Sequence, residues 1–253
     1  MSRSLGEFLR VAGRRLTGRA APGSSVMTEW DWYARDYLKG RIPRGEYLGD
    51  DWNDPATIGA DVPAGEVVQH LIDRVILPFL GTPSTLLEIG CGAGRFTVPL
   101  SARVPKIIAA DTSPAMLQLL RSRLSPEAKV TPHLLDGRGL GGIPDHSIAA
   151  ALTYDVFVHL SHQDIYGYLR ELRRVLVPGG RAVIHHSNLL SDLGWRKFEN
   201  DCDRHLRGLP PKGQFVVMTP ELLRELATRA GLVADEMVTQ VVRRDCIALL
   251  RSP

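Results

Sequence analysis

No apolar run in this chain approaches the eighteen or more residues that a membrane span needs, and the N-terminus lacks the continuous apolar stretch of a secretory signal. Cysteine is scarce. Cys91, Cys202 and Cys246 stand far apart, match no zinc spacing and cannot all pair, which excludes a disulfide framework and points to a reducing, cytoplasmic setting. Charge of neither sign dominates: a formal net charge of +3 gives no support for a nucleic-acid partner. No period repeats and no low-complexity tract interrupts the chain. With 44% hydrophobic and 23% charged residues, the composition is that of an ordinary globular protein, and 253 residues suffice for one main core with a small appendage.

The chain divides into three parts. Residues 1–25 carry Leu5, Phe8, Leu9, Ala12 and Leu16 at helical spacing among Arg3, Arg10, Arg14 and Arg15, a short basic amphipathic extension that runs into a linker at Ala20 to Ser25. Residues 26–83 hold Trp30, Trp32 and Trp52 with Tyr33, Tyr37 and Tyr47, and are expected to form a helical, aromatic cap over the ligand edge of the core. Residues 84–253 form that core.

From Ser84 onward, short apolar runs alternate with amphipathic helices, the pattern of a parallel sheet covered on both faces. Strands are expected at 84–89, 106–110, 130–135, 147–154 and 181–185, with an insertion over 187–213. Two last strands, at 232–241 and 246–250, form an antiparallel pair. Ser113 and Thr219 cap the helices that follow them, each with proline at the first helical position. The expected fold is therefore α/β, with a seven-stranded, doubly wound, mostly parallel sheet and an N-terminal helical cap.

Ligands of such sheets bind at the carboxyl ends of the strands. Between the first strand and its helix, Gly90, Gly92 and Gly94 allow a sharp turn and close approach by a ligand. A dinucleotide fingerprint would need glycine at position 95, where the chain has Arg95. Glu88 stands two residues before the first glycine and would repel a pyrophosphate. Glu88, Asp111 and Asp136, at or near three strand ends, favour a cofactor with a cationic end and no phosphate.

At these residues the sequence resembles the class I S-adenosylmethionine-dependent methyltransferases, specifically the group similar to ubiquinone and menaquinone methyltransferases. The resemblance covers residues 84–186 and rests on Glu88 to Arg95, Asp111 to Leu117 with Thr112 and Met116, and Arg174 to Gly180. It implies a Rossmann-like methyltransferase fold and S-adenosylmethionine as cofactor. Asp111 would accept hydrogen bonds from the ribose hydroxyls, Met116 would pack on the adenine, and Asp136, with Gly137 beside it, would bond the adenine amino group. The glycine loop, with Arg95, would face the methionine moiety, and Tyr154 would join the same pocket.

Methyl transfer from a sulfonium is an in-line displacement, so positioning the acceptor is the first requirement. An alcohol must also lose its proton, usually to a histidine or carboxylate. Tyr154, Asp155 and His159 follow the fourth strand and His185 and His186 end the fifth. His159 is the leading candidate base, with Asp155 beside it. Strand alternation sends His185 and His186 to opposite faces, and His186 is preferred by position.

A second, less specific resemblance, to bacterial methyltransferases of sugar or polysaccharide tailoring, rests on Tyr47 to Trp52, Asp155 to Leu160 and Val183 to Asn188. It implies O-methylation of a sugar or other small molecule. Asp50, Asp51 and Asp54 read most simply as solvated acids; with Asp155 they are also an option for a hard divalent cation such as magnesium. Homodimerisation stays open. The alternatives are an N- or C-methyltransferase of a quinone or secondary metabolite, a non-catalytic cofactor-binding regulator, and a dinucleotide oxidoreductase, the last disfavoured by Arg95.

Overall fold

The computed structural model describes residues 25–39, 55–63, 65–209 and 215–253. The basic extension and the stretch holding Tyr47, Asp50, Asp51, Trp52 and Asp54 lie outside the described residues, as do the side chains of Trp32 and Tyr33.

One sheet organises the chain. Its strands are β1 (Leu86–Ile89), β2 (Ile107–Asp111), β3 (Val130–Leu134), β4 (Ile148–Thr153), β5 (Leu176–Ser187), β6 (Val233–Val238) and β7 (Asp245–Arg251). The spatial order is β3-β2-β1-β4-β5-β7-β6, parallel from β3 to β5 and antiparallel through β7 and β6. This is the expected seven-stranded α/β arrangement. The chain reverses direction across the sheet between β1 and β4, so a crevice opens above their carboxyl ends.

Alternation along the strands feeds two hydrophobic layers. Leu87, Ile89, Ala151, Ala182 and Ile184 face α7 (His162–Val175) and α9 (Pro220–Arg229), where Ile165, Leu169, Leu172, Leu223 and Ala227 are fully buried. Leu86, Ile107, Ala150, Val183 and Ile247 face the other way, onto α5 (Thr97–Ser101), α6 (Pro114–Arg123) and a rod made of α3 (Val67–Leu71), a π turn (Ile72–Ile76) and α4 (Leu77–Leu80). That rod packs along the sheet and not over its ligand edge. The residues before it form α1 (Ser25–Leu38) and α2 (Pro55–Ile58).

Local chemistry sets the helix ends. The Ser113 hydroxyl accepts from Met116 N, Ser161 from Asp164 N and Thr219 from Leu222 N, each satisfying one of the open N–H groups of a first turn. Helix α7 stops at Val175, and the strand resumes at once, with Pro178, Gly179 and Gly180 inside an irregular start of β5. The segment expected as an irregular insertion instead contains α8 (Asp192–Leu206), a fifteen-residue helix with no buried residue. Its polar character hid it. Among the described residues no helix is long and apolar enough to cross a membrane.

Candidate active site

The glycine turn hangs from the sheet by its backbone. Gly90 N and Cys91 N both donate to Ala110 O, at 2.8 and 3.1 Å. All three glycines have positive φ, but for different ends. A Cβ on Gly90 would lie 2.3 Å from Val156 Cγ2 and one on Gly94 2.5 Å from Leu120 Cδ1, whereas one on Gly92 would meet nothing. Gly90 and Gly94 serve packing. Gly92 leaves open space of the kind a ligand requires.

Asp111 ties the turn to the next strand. Its Oδ2 accepts from Gly92 N and its Oδ1 from Ser113 N, both at 2.8 Å. Each carboxylate oxygen has two acceptor sites, so the group can still receive hydroxyl donors. Burial pushes the Asp111 carboxyl above its ordinary range, although the backbone donors work against it. Glu88 is more extreme: buried in the turn and accepting from Thr97 Oγ1 at 2.5 Å, it is raised by burial to about 7. Cys91 is buried with its thiol pushed well up by burial, which removes it as a nucleophile.

Helix α1 covers the glycine turn and the start of α6. Ala34, with Trp30 and Tyr37, packs on Ala93, Ala115, Met116 and Leu119, while Asp31 Oδ1 accepts from Ser113 Oγ at 3.0 Å and Ala115 N at 3.2 Å. Met116 thus lines a layer between helix and turn. Thr112 lies half-buried beside Asp111. Asp136 is exposed and its Oδ1 accepts from Arg138 N at 2.8 Å, with Gly137 at φ 79° between them.

The β4 side is built differently, from side-chain charges. Arg95 Nη2 donates to Asp155 Oδ2 at 2.6 Å. Asp155 Oδ1 lies 3.3 Å from His185 Nδ1, His185 Nε2 lies 3.3 Å from Asp245 Oδ2, and Asp245 takes Arg244 in a two-pronged pair, Nη2 to Oδ2 at 2.6 Å. Tyr154 stacks on His185 with ring centroids 4.0 Å apart, and the Arg95 guanidinium lies over the Tyr154 ring at 5.4 Å. Burial raises the Asp155 and Asp245 carboxyls, yet both end below the ordinary range because Arg95 and His185 together outweigh burial at the first, and His185 and Arg244 do so at the second. Asp155 is therefore a poor base. Among the described residues the buried Tyr154 hydroxyl has no hydrogen-bond partner, which suits a ligand group in the crevice.

His185, not His186, thus reaches Asp155. His186 turns to the α7 and α9 face with Cys246, bonds Ser187 O at 2.7 Å through Nδ1, and is held neutral, its imidazole lowered by burial to about 4. His159 is half-buried between Trp30, at 5.4 Å between centroids, and Phe215, at 5.8 Å. Beyond Phe215 a cavity of ≈ 40 Å³ is bounded by Asn188, Lys197, Phe198, Asp201 and Arg244. For magnesium, Asp50, Asp51 and Asp54 lie outside the described residues and Asp155 is engaged by Arg95; among the described residues no three His, Cys, Asp or Glu could hold a metal.

Arg244, Asp245, Thr97, Phe215 and Asp31 are the members that sequence reasoning did not single out, and His185 was weighed there against the preferred His186. His185 carried a signal in its alternation with His186; Arg244 and Asp245 carried none, because their role depends on the antiparallel register of β5 and β7.

These residues fit a cationic, phosphate-free donor: two carboxylates at successive strand ends, an open glycine and no phosphate cradle. Comparison with known proteins agrees. The family model described as a methyltransferase domain matches residues 86–180. The chain is similar to a demethylmenaquinone methyltransferase from Tropheryma whipplei, 34% identical over 99 residues, covering 39% of this chain and 40% of the relative. It is similar to a malonyl-[acyl-carrier protein] O-methyltransferase from Serratia marcescens, 31% identical over 174 residues, covering 66% and 61%. In both cases the match spans less than two thirds of the relative's own length. Among solved structures, magnesium protoporphyrin IX methyltransferase from Synechocystis PCC 6803 with bound SAH superposes with a TM-score of 0.62 at 16% identity, over 90% of this chain and 98% of that one.

Proposed function

We propose that this chain, whose residues 86–180 match the methyltransferase domain, is a class I S-adenosylmethionine-dependent methyltransferase that binds S-adenosylmethionine at the glycine turn and methylates a hydroxyl of a sugar or other small molecule. The observation that carries the reading is Asp111, which is anchored by Gly92 N and Ser113 N at the end of β2 and keeps acceptor capacity for a ribose. When bound, the cofactor supplies an electrophilic methyl group.

The chain's own residues do the rest. Glu88 and Asp111 favour the cationic donor, Met116 under α1 offers an apolar bed for adenine, and Arg95 supplies a guanidinium for the donor's carboxylate. His159, flanked by two aromatic rings, takes the acceptor's proton, and the faces of Trp30 and Phe215 suit the apolar side of a sugar. The cavity beyond Phe215 holds only a few waters, so an acceptor larger than a fragment must move α8 outward. That helix buries no residue, and its displacement costs little packing.

A screen of sugars and small alcohols for S-adenosylhomocysteine formation, with and without magnesium, tests the reading. Turnover on hydroxyl acceptors that His159→Ala abolishes while donor binding persists is expected. Turnover only on amines or ring carbons would move the acceptor atom, and absence of any donor binding in calorimetry would end the assignment.

A further inference from the structure

We infer that His185 is a positioning residue: from beneath Tyr154 it fixes Asp155 in a left-handed turn, so that the Asp155 carboxylate holds Arg95 against the donor loop. The inference deepens the methyl-donor reading above and rests on it for the identity of the ligand.

Asp155 sits at φ 57°, and it and His146 are the only non-glycine residues with positive φ among the described residues. Such a conformation is uncommon outside glycine, and the contacts around it must select it. At Asp155 two contacts do so: its backbone N–H donates to His185 Nδ1 at 3.2 Å, and its Oδ2 accepts from Arg95 Nη2 at 2.6 Å.

The first contact fixes the ring's chemistry. Nδ1 can accept from a backbone N–H only if it carries no proton, so the ring's hydrogen is on Nε2, which faces Asp245 Oδ2. The Asp245 carboxylate, 3.3 Å from Nε2 without hydrogen-bond geometry, favours a proton on that nitrogen electrostatically. Its own charge is balanced by the two-pronged Arg244 pair, and His185, Asp245 and Arg244 are almost wholly buried. Arg244 and Asp245 also line the cavity beyond Phe215, whereas His185 acts through Asp155, whose carboxylate is partly exposed beside the glycine turn.

The ladder crosses three strands. Arg95 follows the β1 turn, Asp155 follows β4, His185 ends β5, and Asp245 opens β7 as the diagonal neighbour of His185 on the same face. The antiparallel course of β7 brings its first residue to the ligand edge. Geometry at the donor loop is thus set partly from the far half of the sheet.

Two measurements test the inference, the first on the unliganded wild-type protein. Long-range nitrogen NMR of ¹⁵N-histidine protein is expected to find His185 as the Nε2–H tautomer, and Asp245→Asn is expected to disturb both that ring and the Asp155 amide. An Nδ1–H tautomer, or an Asp155 amide indifferent to Asp245→Asn, would overturn the proposal. The second measurement is affinity for S-adenosylhomocysteine by calorimetry, on variants whose melting confirms that they fold. His185→Asn, whose amide oxygen replaces Nδ1 as acceptor, keeps affinity within about threefold, while His185→Phe, which fills the space under Tyr154 without an acceptor, loses roughly tenfold or more. Equal affinities for the two would also overturn the proposal. A wild-type protein that shows the expected tautomer but binds no S-adenosylhomocysteine would sink the donor reading and leave the positioning role of His185 standing.

Discussion

The two sides of the crevice hold their shape by different means. On the β1–β2 side, backbone N–H groups do the work: Ala110 O and the Asp111 carboxylate gather Gly90, Cys91, Gly92 and Ser113 within one short stretch of space. On the β4–β5–β7 side, side chains from four separate segments form a run in which the neutral His185 imidazole lies between two carboxylates, each paired with an arginine: Arg95, Asp155, His185, Asp245 and Arg244. Backbone anchoring tolerates most substitutions nearby. A buried run of charges does not, because removing any one member leaves its neighbours desolvated and unmatched.

The sharpest way to break the contrast is Asp245→Ala. It strands Arg244 and removes the partner of His185, and is expected to lower unfolding stability by about 3–5 kcal/mol in urea titration. Replacing Arg244 and Asp245 together by apolar residues should recover much of that loss, and failure to recover would mean that the pair does more than cancel charge.

On the other side, Glu88 gives a pH signature. The unfolded chain releases this proton near 4.5, whereas the folded one keeps it until about 7, so the folded state binds more protons between these values. Stability then falls by about 3 kcal/mol as pH climbs through that window and is level above it, and Glu88→Gln should flatten the slope. The same shift predicts that binding of a cationic donor draws a proton out of Glu88 below pH 7, measurable by calorimetry in buffers of different ionisation enthalpy.

Asp111→Ala removes two charge-assisted anchors and the expected ribose acceptor; roughly 100-fold weaker binding of S-adenosylhomocysteine is expected, with a loss of about 1–3 kcal/mol of stability from the N–H groups left unpaired. Smallest of all is His186→Phe. Its imidazole is already neutral and faces away from the crevice, so donor affinity should not change, while loss of the bond to Ser187 O costs about 1 kcal/mol of stability. A loss of affinity there would erase the distinction drawn between the two histidines.

The same contrast separates what sequence reasoning could read from what it could not. The positions of the strands along the chain, the caps at Ser113 and Thr219 and the glycine turn were legible because each is settled by residues a few positions apart. Alternation placed His185 and His186 on opposite faces without saying which face was which, since that depends on how β5 is laid against β4. Asp245 was invisible for a stronger reason: its meaning comes from pairing with a strand end far away along the chain. Helix α8 was missed because its periodicity marks no buried stripe, the usual sign of a helix held by its neighbours.

The charge ladder has a consequence for how this chain can vary over time. A single exchange within it meets a steep penalty, so drift cannot erode the ladder one letter at a time. Descendants that dispense with it must trade Asp155, His185, Asp245 and Arg244 as a set, and intermediate sequences holding part of the set should be rare and fragile.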